Sequence, residues 1–366
     1  MRIGIIVSSS VRGGGEVYLE NLYRHLALRG HEPVLIGSLP KWDLACVDTG
    51  VEGKWSRHTA ALNVLSSAGD RRKLLTSVQK EHRSKPFDIF HAQYKREQIL
   101  ATAPLSRLAP VIWTEHGLLP RGQGSTLLRW VYRRAARAVA RVICVSEGVS
   151  ADVQQAIGTS HKIVVIPNGV DLQGHRVPTP AERQAARTLF GLSPESLVLV
   201  VASRLDVVKG IDLAIRSLDY LPSTARLIIA GEGPDRPRLE RLSLGRRVTF
   251  LGHLASVATV YDASEVLLFP SAAAAGEGFG MSILEAAAHG IPTLTVSGSG
   301  MEERVREAGG AVADRDPASI AARIVSLDPA AGYRARSWAE RYGLIQWVER
   351  HEAIMRDVVA VRGHAE

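Results

Sequence analysis

The feature that most constrains the fold is an alternation of short apolar runs with helical segments, which occurs twice along the 366 residues. The first series of runs is "RIGIIVSS", "EPVLIGS", "FDIFHA", "PVIWTEH" and "RVICVS", and the second is "SLVLVVAS", "ARLIIAG", "RVTFLG", "VLLFPS" and "IPTLTVS". Runs rich in β-branched residues and separated by helices predict parallel sheets covered by helices. We therefore expect an α/β protein with two Rossmann-like doubly wound domains facing a central cleft, where ligands of such sheets bind.

The stretch "GVDLQGHRVPTPAERQ" separates the two series and has prolines but no apolar period, which is typical of a linker. We place the boundary between Gly174 and Pro180, with an N-terminal domain at 1–174 and a C-terminal domain at 175–345. Residues 346–366 are expected to form a helix that packs back toward the N-terminal domain. Four apolar residues at helical spacing near this end predict packing and not a ligand site: Trp338, Tyr342, Trp347 and Ile354.

Composition and cysteine usage narrow the class of protein. The chain is 46% hydrophobic and 22% charged, which indicates a globular protein. No apolar run approaches the roughly 18 residues of a membrane span, and the N-terminus reads as a strand without a leader pattern, so we expect a cytoplasmic protein or one at the inner face of the membrane. Cys46 and Cys144 stand alone without a CxxC motif, and we expect two buried thiols and no zinc cluster.

The positive charge is concentrated in the first half, where residues 1–172 hold 23 Lys and Arg against 14 Asp and Glu. In "LLRWVYRRAARAVARV" we predict one helix with a cationic stripe of Arg129, Arg133, Arg137 and Arg141. A solvated face is the preferred interpretation, and a surface for anionic lipid is the alternative. No recognised nucleic-acid-binding motif accompanies the charge, so nucleic acid is not expected as a partner.

A glycine loop opens the helix after the first strand, in "SSSVRGGGEVYLENL". The G-x-G-x-x-G pattern is absent, and the second strand ends without an acidic residue for a ribose, which argues against dinucleotide binding. Gly13, Gly14 and Gly15 would admit a sugar or phosphate close to the backbone, and a simple tight turn is the alternative.

Two features of the second half indicate a phosphate ligand that also carries hydroxyl groups. Arg204 and Lys209 in "VASRLDVVKGIDLAI" lie between a strand and a helix, and this pair of cations suits a diphosphate. The loop "GEGFGMSILEA" offers backbone N–H groups at a helix start, which favours an anion, yet Glu277 and Glu285 flank it. These carboxylates require hydroxyl groups in the ligand. The loop around Glu232 in "IIAGEGPDRPRL" could receive a flat base, or could be a plain turn.

The order of motifs resembles that of the GT-B fold retaining glycosyltransferases of family 4, the glycosyltransferase group 1 family. The matching pieces span nearly the whole chain and are "RGGGEVYLENL", "TEHG", "VSEGV", "IPNGVD", "SRLDVVKG", "AGEGP", "FLGHL" and "GEGFGMSILEA". The last of these is the most specific, because it carries the family's glutamate pair.

The resemblance implies a role for each matched position. Glu277 would meet hydroxyls of the donor sugar, and Glu285 would hold the ribose hydroxyls. Arg204 and Lys209 would neutralise the diphosphate, and His116 would lie close to the reacting carbon. The remaining donor-binding positions implied by the resemblance are Gly14, Gly15, Glu232, Leu254, Gly278, Phe279, Gly280 and Met281. His91 of "FHAQ" is as often structural as functional at such a strand end.

The implied reaction is transfer of a hexose or N-acetylhexosamine from a nucleotide-diphosphate sugar, UDP-linked by family frequency, to an acceptor hydroxyl with retained configuration. The acceptor would be an envelope glycan, a lipid-linked glycan or a small metabolite. We expect no cofactor and no metal. The "DRD" at Asp314 to Asp316 imitates a metal motif, but it precedes a proline and predicts N-capping by Asp316. Ser299 and Gly300 depart from the family's two adjacent glycines, which leaves contacts by Glu303 open.

Two other functions are compatible with this architecture. One is a non-hydrolysing UDP-sugar epimerase, against which the glutamate pair and "SRLDVVKG" speak. The other is an inactive nucleotide-sugar-binding subunit of a transferase complex. Five residues argue against it by their presence: Arg204, Lys209, Glu277, Glu285 and His116.

Overall fold

The computed structural model describes residues 1–10, 13–51, 68–119 and 125–363, which form two compact units. One unit comprises 1–168 together with 346–366, and the other comprises 169–345. The strands of the first unit are β1 (Arg2–Ser8), β2 (Glu32–Ser38), β3 (Cys46–Val47), β4 (Ile89–Ala92), β5 (Val111–Glu115), β6 (Arg141–Cys144) and β7 (Ile163–Val165). Its helices are α1 (Gly14–Leu28), α2 (Ala68–Ser84), α3 (Lys95–Leu105), α4 (Ser125–Ala136), α5 (Glu147–Ile157) and the last helix of the chain, α14 (Leu344–Gly363).

The second unit repeats this arrangement. Its strands are β8 (Leu197–Ala202), β9 (Ala225–Ala230), β10 (Val248–Gly252), β11 (Val266–Phe269), β12 (Thr293–Val296) and β13 (Ala311–Ala313). Its helices are α6 (Pro180–Leu189), α7 (Ile211–Ser217), α8 (Arg236–Leu242), α9 (Ala258–Ala263), α10 (Met281–Ala288), α11 (Glu302–Glu307), α12 (Pro317–Val325) and α13 (Ala331–Ala339). Short 3-10 turns occur at Val207–Lys209, Leu218–Tyr220, Ala273–Ala275 and Glu340–Tyr342.

Each unit is built on one parallel sheet. The strand order is β3-β2-β1-β4-β5-β6-β7 in the first and β10-β9-β8-β11-β12-β13 in the second. The order reverses between β1 and β4 and between β8 and β11, which are the points where the ends of adjacent strands open a crevice in such sheets. Every residue of β1 is buried, because helices cover both faces of a parallel sheet.

The predicted two-domain α/β fold is confirmed, and all ten predicted strands are present. Three strands were not predicted: β3, β7 and β13. Each has only two or three residues, too few to show a pattern in the sequence.

The two units divide at Asn168 and Gly169, ahead of the expected boundary at Gly174. Val170 explains this position, because it donates to the Tyr342 carbonyl and accepts from the Leu344 N–H, both at 2.9 Å. The connection to α6 then ends in a capping box, in which Thr179 and Glu182 each accept the other's backbone N–H.

Helix α14 belongs to the core of the first unit. Its Trp347 and Met355 are buried, and Glu352 pairs with Arg29 at 2.6 Å and with His31 at 3.0 Å. Burial alone would raise the pKa of Glu352, but the hydrogen bonds from His31 and the neighbouring arginines outweigh it and lower that pKa to about 2. In the part of the chain that the structure describes, no helix has the length and apolarity needed to cross a membrane.

Two expectations about the first unit were wrong. The arginine-rich segment is not one helix, since α4 ends at Ala136 and Arg141 begins β6, which pairs with β5. Pairing of this segment with β5 is more favourable there than continuation of the helix, despite the helical period of the arginines. The thiol of Cys144 is buried as expected, but Cys46 is exposed on the short edge strand β3.

Candidate functional site

The loops that follow β8 and β11 carry the charged residues singled out in the second unit. The two loops are tied together, because the Ala272 N–H donates to the Val208 carbonyl at 2.8 Å. Gly210 allows this approach with a φ of +64°, and a Cβ there would lie 2.3 Å from the Pro270 carbonyl oxygen. The sequence thus positions the cationic loop against the acidic one.

Lys209 and Glu277 form a largely buried ion pair between these loops. The Lys209 ammonium contacts Oε1 of Glu277, and the two side chains are only 18% and 17% exposed. The Ser271 hydroxyl donates to the same oxygen at 3.4 Å, and the Arg315 guanidinium in turn donates to the Ser271 carbonyl at 3.3 Å. Exclusion of water from such a pair strengthens the electrostatic interactions that each of its charges makes.

Arg204 lies on the same loop but points to solvent. Its side chain is 69% exposed, and its Nε lies 2.9 Å from Asp206. The pairing with Asp206 is weak at such exposure, so the guanidinium remains available to a phosphate.

The glycine loop before α10 presents a row of backbone donors. Gly280 is the N-cap of α10 with a φ of +78°, a conformation that favours glycine. Among the described residues, no protein acceptor takes up the N–H groups of Phe279, Gly280 or Met281. Gly278 is buried beside them. Unpaired donors at the start of a helix favour an anion.

Glu285 lies one turn into α10 and is half-buried. Its Oε2 accepts the Tyr261 hydroxyl at 3.3 Å. Burial raises the pKa of Glu285 to about 7, and the hydrogen bond from Tyr261 opposes this rise only in part. A ligand that donates hydrogen bonds to this carboxylate would therefore draw it into its charged form.

The buried ring of Phe279 holds the glycine loop before α10 in place. The ring is buried, with the Arg304 guanidinium 4.1 Å from its centroid and the Tyr342 ring edge-on at 5.8 Å. Partial burial lowers the pKa of Arg304, and the Tyr342 hydroxyl and nearby carboxylates act against that. Arg304 and Tyr342, to which the resemblance gave no role, thus hold the Phe279 ring and with it the backbone N–H groups of this loop.

The loop after β9 is hydrogen-bonded to the end of β10. Gly231 donates to the Gly252 carbonyl at 2.8 Å, and a Cβ on Gly231 would lie 1.9 Å from the Ser203 carbonyl oxygen. Glu232 forms an exposed ion pair with Arg236, and Leu254 is partly exposed in the loop after β10.

The loop at 298–300, which departs from the family pattern, is held by a neighbouring carboxylate. Glu302 accepts the N–H groups of Gly298 and Ser299 at 2.6 and 3.2 Å, while Glu303 is exposed on α11. Burial would raise the pKa of Glu302, but these backbone hydrogen bonds lower it overall. Glu302, which the sequence did not single out, is therefore the carboxylate that organises this loop.

Asp316 caps α12, as predicted, by accepting the Ser319 N–H at 2.9 Å, with Pro317 at the first position. Within the described ranges, no group of three or more His, Cys, Asp or Glu side chains is arranged to hold a metal ion.

In the first unit, the glycine loop opens α1. Gly14 is exposed with open space where a Cβ would stand, whereas a Cβ on Gly15 would lie 2.9 Å from the Tyr94 hydroxyl. Gln93 holds this turn by donating to the Gly15 carbonyl at 2.9 Å. The backbone is therefore open to a ligand at Gly14 and crowded at Gly15.

His116 follows β5 and is partly exposed. The Tyr18 ring packs edge-on against it, with centroids 4.5 Å apart. The Tyr18 hydroxyl is buried and contacts both Thr114 and His351, and burial raises its pKa. A rigid buried contact of this kind fixes the orientation of the imidazole.

His91 belongs to the core. It is fully buried, Nδ1 lies 2.6 Å from the Tyr23 hydroxyl and Nε2 lies 2.8 Å from Oγ1 of Thr114. Burial, with smaller contributions from His351 and His116, lowers its pKa to about 3. Of the two interpretations left open for His91, the structure supports the structural one.

Solved structures share this fold. HepE of Anabaena, in complex with UDP, superposes with a TM-score of 0.80 at 20% identity and covers 98% of this chain and 100% of its own. Sucrose-phosphate synthase of Thermosynechococcus elongatus gives a TM-score of 0.81 at 19% identity, with 98% and 99% covered. The fold is that of the GT-B glycosyltransferases, two parallel-sheet Rossmann-like units.

Sequence comparison identifies the family. Residues 12–173 match the profile described as Glycosyltransferase Family 4, and residues 196–328 match that of Glycosyl transferases group 1. The chain belongs to this family of glycosyltransferases.

Two relatives are named for transfer to inositol-containing acceptors. One is the GDP-mannose-dependent alpha-(1-6)-phosphatidylinositol dimannoside mannosyltransferase of Mycobacterium tuberculosis, 32% identical over 57% of this chain and 55% of its own. The other is the D-inositol 3-phosphate glycosyltransferase of Geodermatophilus obscurus, 27% identical over 85% of this chain and 77% of its own. The chain spans about half the length of the first of these relatives.

Proposed function

We propose that this protein transfers a hexose or N-acetylhexosamine from a nucleotide-diphosphate sugar to an acceptor hydroxyl, with retention of the anomeric configuration. The observation that carries the proposal is the Lys209–Glu277 pair beside the open N–H groups of Phe279, Gly280 and Met281. A cation and free backbone donors suit a diphosphate, and the adjacent carboxylate suits sugar hydroxyls.

Each group acts on a defined part of the donor. Lys209 and Arg204 face the diphosphate, whose negative charge grows as the bond to the sugar breaks, and preorganised groups of this kind contribute on the order of 3 kcal/mol each. Glu277 holds sugar hydroxyls, and Glu285 holds the ribose. His116, whose ring packs against Tyr18, is the residue that the resemblance assigns to the reacting carbon.

The donor base and the acceptor are proposed from family frequency and from the names of the relatives. UDP is our first choice by family frequency, and the UDP complex of HepE is consistent with it. GDP is the second candidate, because the relative at 32% identity is named for GDP-mannose. For the acceptor we propose a lipid-linked or small polyol, since both relatives are named for inositol compounds. A peripheral position at the inner face of the membrane fits a lipid-linked acceptor.

Calorimetric titration of UDP, GDP and ADP in the presence of EDTA tests the donor site. We expect one diphosphate to bind, and Lys209→Ala and Glu285→Ala each to abolish binding. Glu195→Ala and Arg323→Ala, both exposed and distant in sequence from the loops, are the matched controls. Equal binding by the site variants and the wild type would refute the assignment.

Incubation of the matching nucleotide sugar with inositol phosphate or phosphatidylinositol tests the reaction. NMR of the product gives the anomeric configuration, and an inverted product would contradict retention. A donor sugar that changes configuration without any acceptor would indicate the epimerase. Tight binding without turnover on any acceptor would indicate the inactive subunit.

A further inference from the structure

We propose that the exposed face of α4 docks onto an anionic lipid surface. This docking face consists of Leu127, Trp130, Arg133 and Arg134 of α4 together with Arg137, which follows the end of the helix. The inference goes beyond the proposed transfer reaction, because it concerns a separate surface of the first unit and is tested without any donor sugar.

Charge is the first argument. Residues 116–146 contain six arginines and no aspartate or glutamate. Arg129 forms an ion pair with Asp152 at 3.3 Å and is not part of this surface. In the described part of the chain, Arg133, Arg134 and Arg137 have no acidic partner. Lys162 adds a further cation at the end of α4, where its ammonium donates to the Arg137 carbonyl at 2.9 Å.

The arrangement of apolar residues is the second argument. Leu128, Tyr132, Ala135 and Ala136 form the buried face of α4. On the opposite face, Trp130 is 61% exposed and Leu127 is 40% exposed. Because residues three and four apart lie on one face of a helix, Arg133 and Arg134 are the neighbours of Trp130. The Trp130 indole is therefore exposed to solvent with two arginines next to it.

This combination favours lipid over other anionic partners. An interfacial helix places arginines against headgroup phosphates and inserts an indole and an aliphatic side chain at the level of the acyl boundary. Single exposed apolar residues are ordinary on a solvated helix, whereas exposed apolar side chains that lie together mark an interaction surface. Arg133 is also held in place, since its guanidinium packs against Gly158 at the end of α5.

The position of α4 in the fold links the docking face to the candidate site. A helix that follows a parallel strand starts at the carboxyl edge of the sheet. Leu127 and Trp130 lie within the first two turns of α4, and His116 follows β5 at the same edge. The first turns of the docking face and His116 therefore lie toward the same edge of the sheet.

Flotation of the full chain with lipid vesicles tests the proposal. We expect the protein to float with phosphatidylcholine vesicles that contain about one quarter phosphatidylglycerol, not with phosphatidylcholine alone, and to be released at about 0.5 M salt. Arg133→Gln, Arg134→Gln and Arg137→Gln together should reduce the bound fraction at least tenfold. The matched control replaces Arg72, Lys80 and Arg83 of α2 by Gln, which removes the same charge from exposed positions of the same unit and should leave flotation unchanged.

The apolar part of the docking face has its own test. Trp130→Ala with Leu127→Ala should weaken flotation severalfold without any change of charge, and quenching of tryptophan emission by brominated lipid should be lost in Trp130→Phe. Equal flotation of the α4 and α2 charge variants, or absence of flotation at low salt, would overturn the proposal. Binding of single-stranded DNA that depends on α4, without binding of vesicles, would also overturn it and assign the surface to nucleic acid.

Discussion

The raised pKa of Glu285 predicts a pH dependence of donor binding. The free protein holds this carboxyl at a pKa of about 7, against an ordinary value of 4.5, because of burial. Ribose hydroxyls are donors, so a bound nucleotide sugar stabilises the charged form and lowers the pKa again. Binding below pH 7 therefore releases a proton, and the affinity rises with pH until Glu285 is ionised in the free protein.

The magnitude follows from the shift. The difference between about 7 and 4.5 corresponds to roughly 3 kcal/mol at 1.36 kcal/mol for each pKa unit. If the complex restores the ordinary pKa, the dissociation constant falls about tenfold for each pH unit between about pH 5 and pH 7, and is flat above. The same shift lowers the stability of the free protein as pH rises through this window, since the unfolded chain ionises Glu285 more readily.

The assay is calorimetric titration with an intact nucleotide sugar, whose phosphate diesters do not titrate in this range. Glu285→Gln should bind weakly with no slope, and Tyr261→Phe should move the inflection above pH 7, because the Tyr261 hydroxyl now lowers the pKa of Glu285. A wild-type affinity that does not change with pH, or a slope retained in Glu285→Gln, would refute the reasoning.

Three further predictions concern single positions. Lys209→Ala should lower kcat/KM by roughly 100-fold, from about 3 kcal/mol of lost charge stabilisation. Arg204→Ala should also lower kcat/KM but should change the unfolding free energy by less than about 0.5 kcal/mol, because Arg204 is exposed; a larger loss of stability for Arg204→Ala in urea melts would contradict this. Gly231→Ala should destabilise by more than about 2 kcal/mol, because its Cβ meets the Ser203 carbonyl, while Gly245→Ala has open space and should cost only about 1 kcal/mol; similar urea midpoints for the two would count against the steric account. Asp316→Ala should lower the unfolding free energy by about 1 kcal/mol through loss of the α12 cap, with Asp314→Ala as the control, and a neutral Asp316→Ala in thermal melts would exclude a capping role.

The sequence was sufficient for the fold because the ten predicted strands are continuous apolar runs of four to seven residues that alternate with helical segments. Periodicity could not locate β3 or β13, which have two and three residues. It also extended α4 through Arg141, although the pairing of β6 with β5 decides where that helix ends. Local pattern predicts the elements, and the strand ladder decides their ends.

The candidate site was predicted in part for a similar reason. Charged residues beside glycines are visible in one dimension, and the structure brings Lys209 and Glu277 into contact. Their supports are not visible in this way. Tyr261 is 24 residues from Glu285, and Arg304 is on α11 whereas Phe279 is in the loop before α10. Such partners meet only through the packing of separate elements, and no spacing rule in the sequence indicates them.

The place of α14 in the first unit has a consequence for biosynthesis. Residues 1–168 are translated first, but their core lacks His351 and Met355 until the ribosome has also made the 177 residues of 169–345. At roughly 5–20 residues per second, this interval lasts about 9 to 35 s. The second unit is contiguous and is complete earlier. The nascent chain therefore finishes its second half before its first, and chaperones that hold unfinished α/β sheets would meet residues 1–168 as their client.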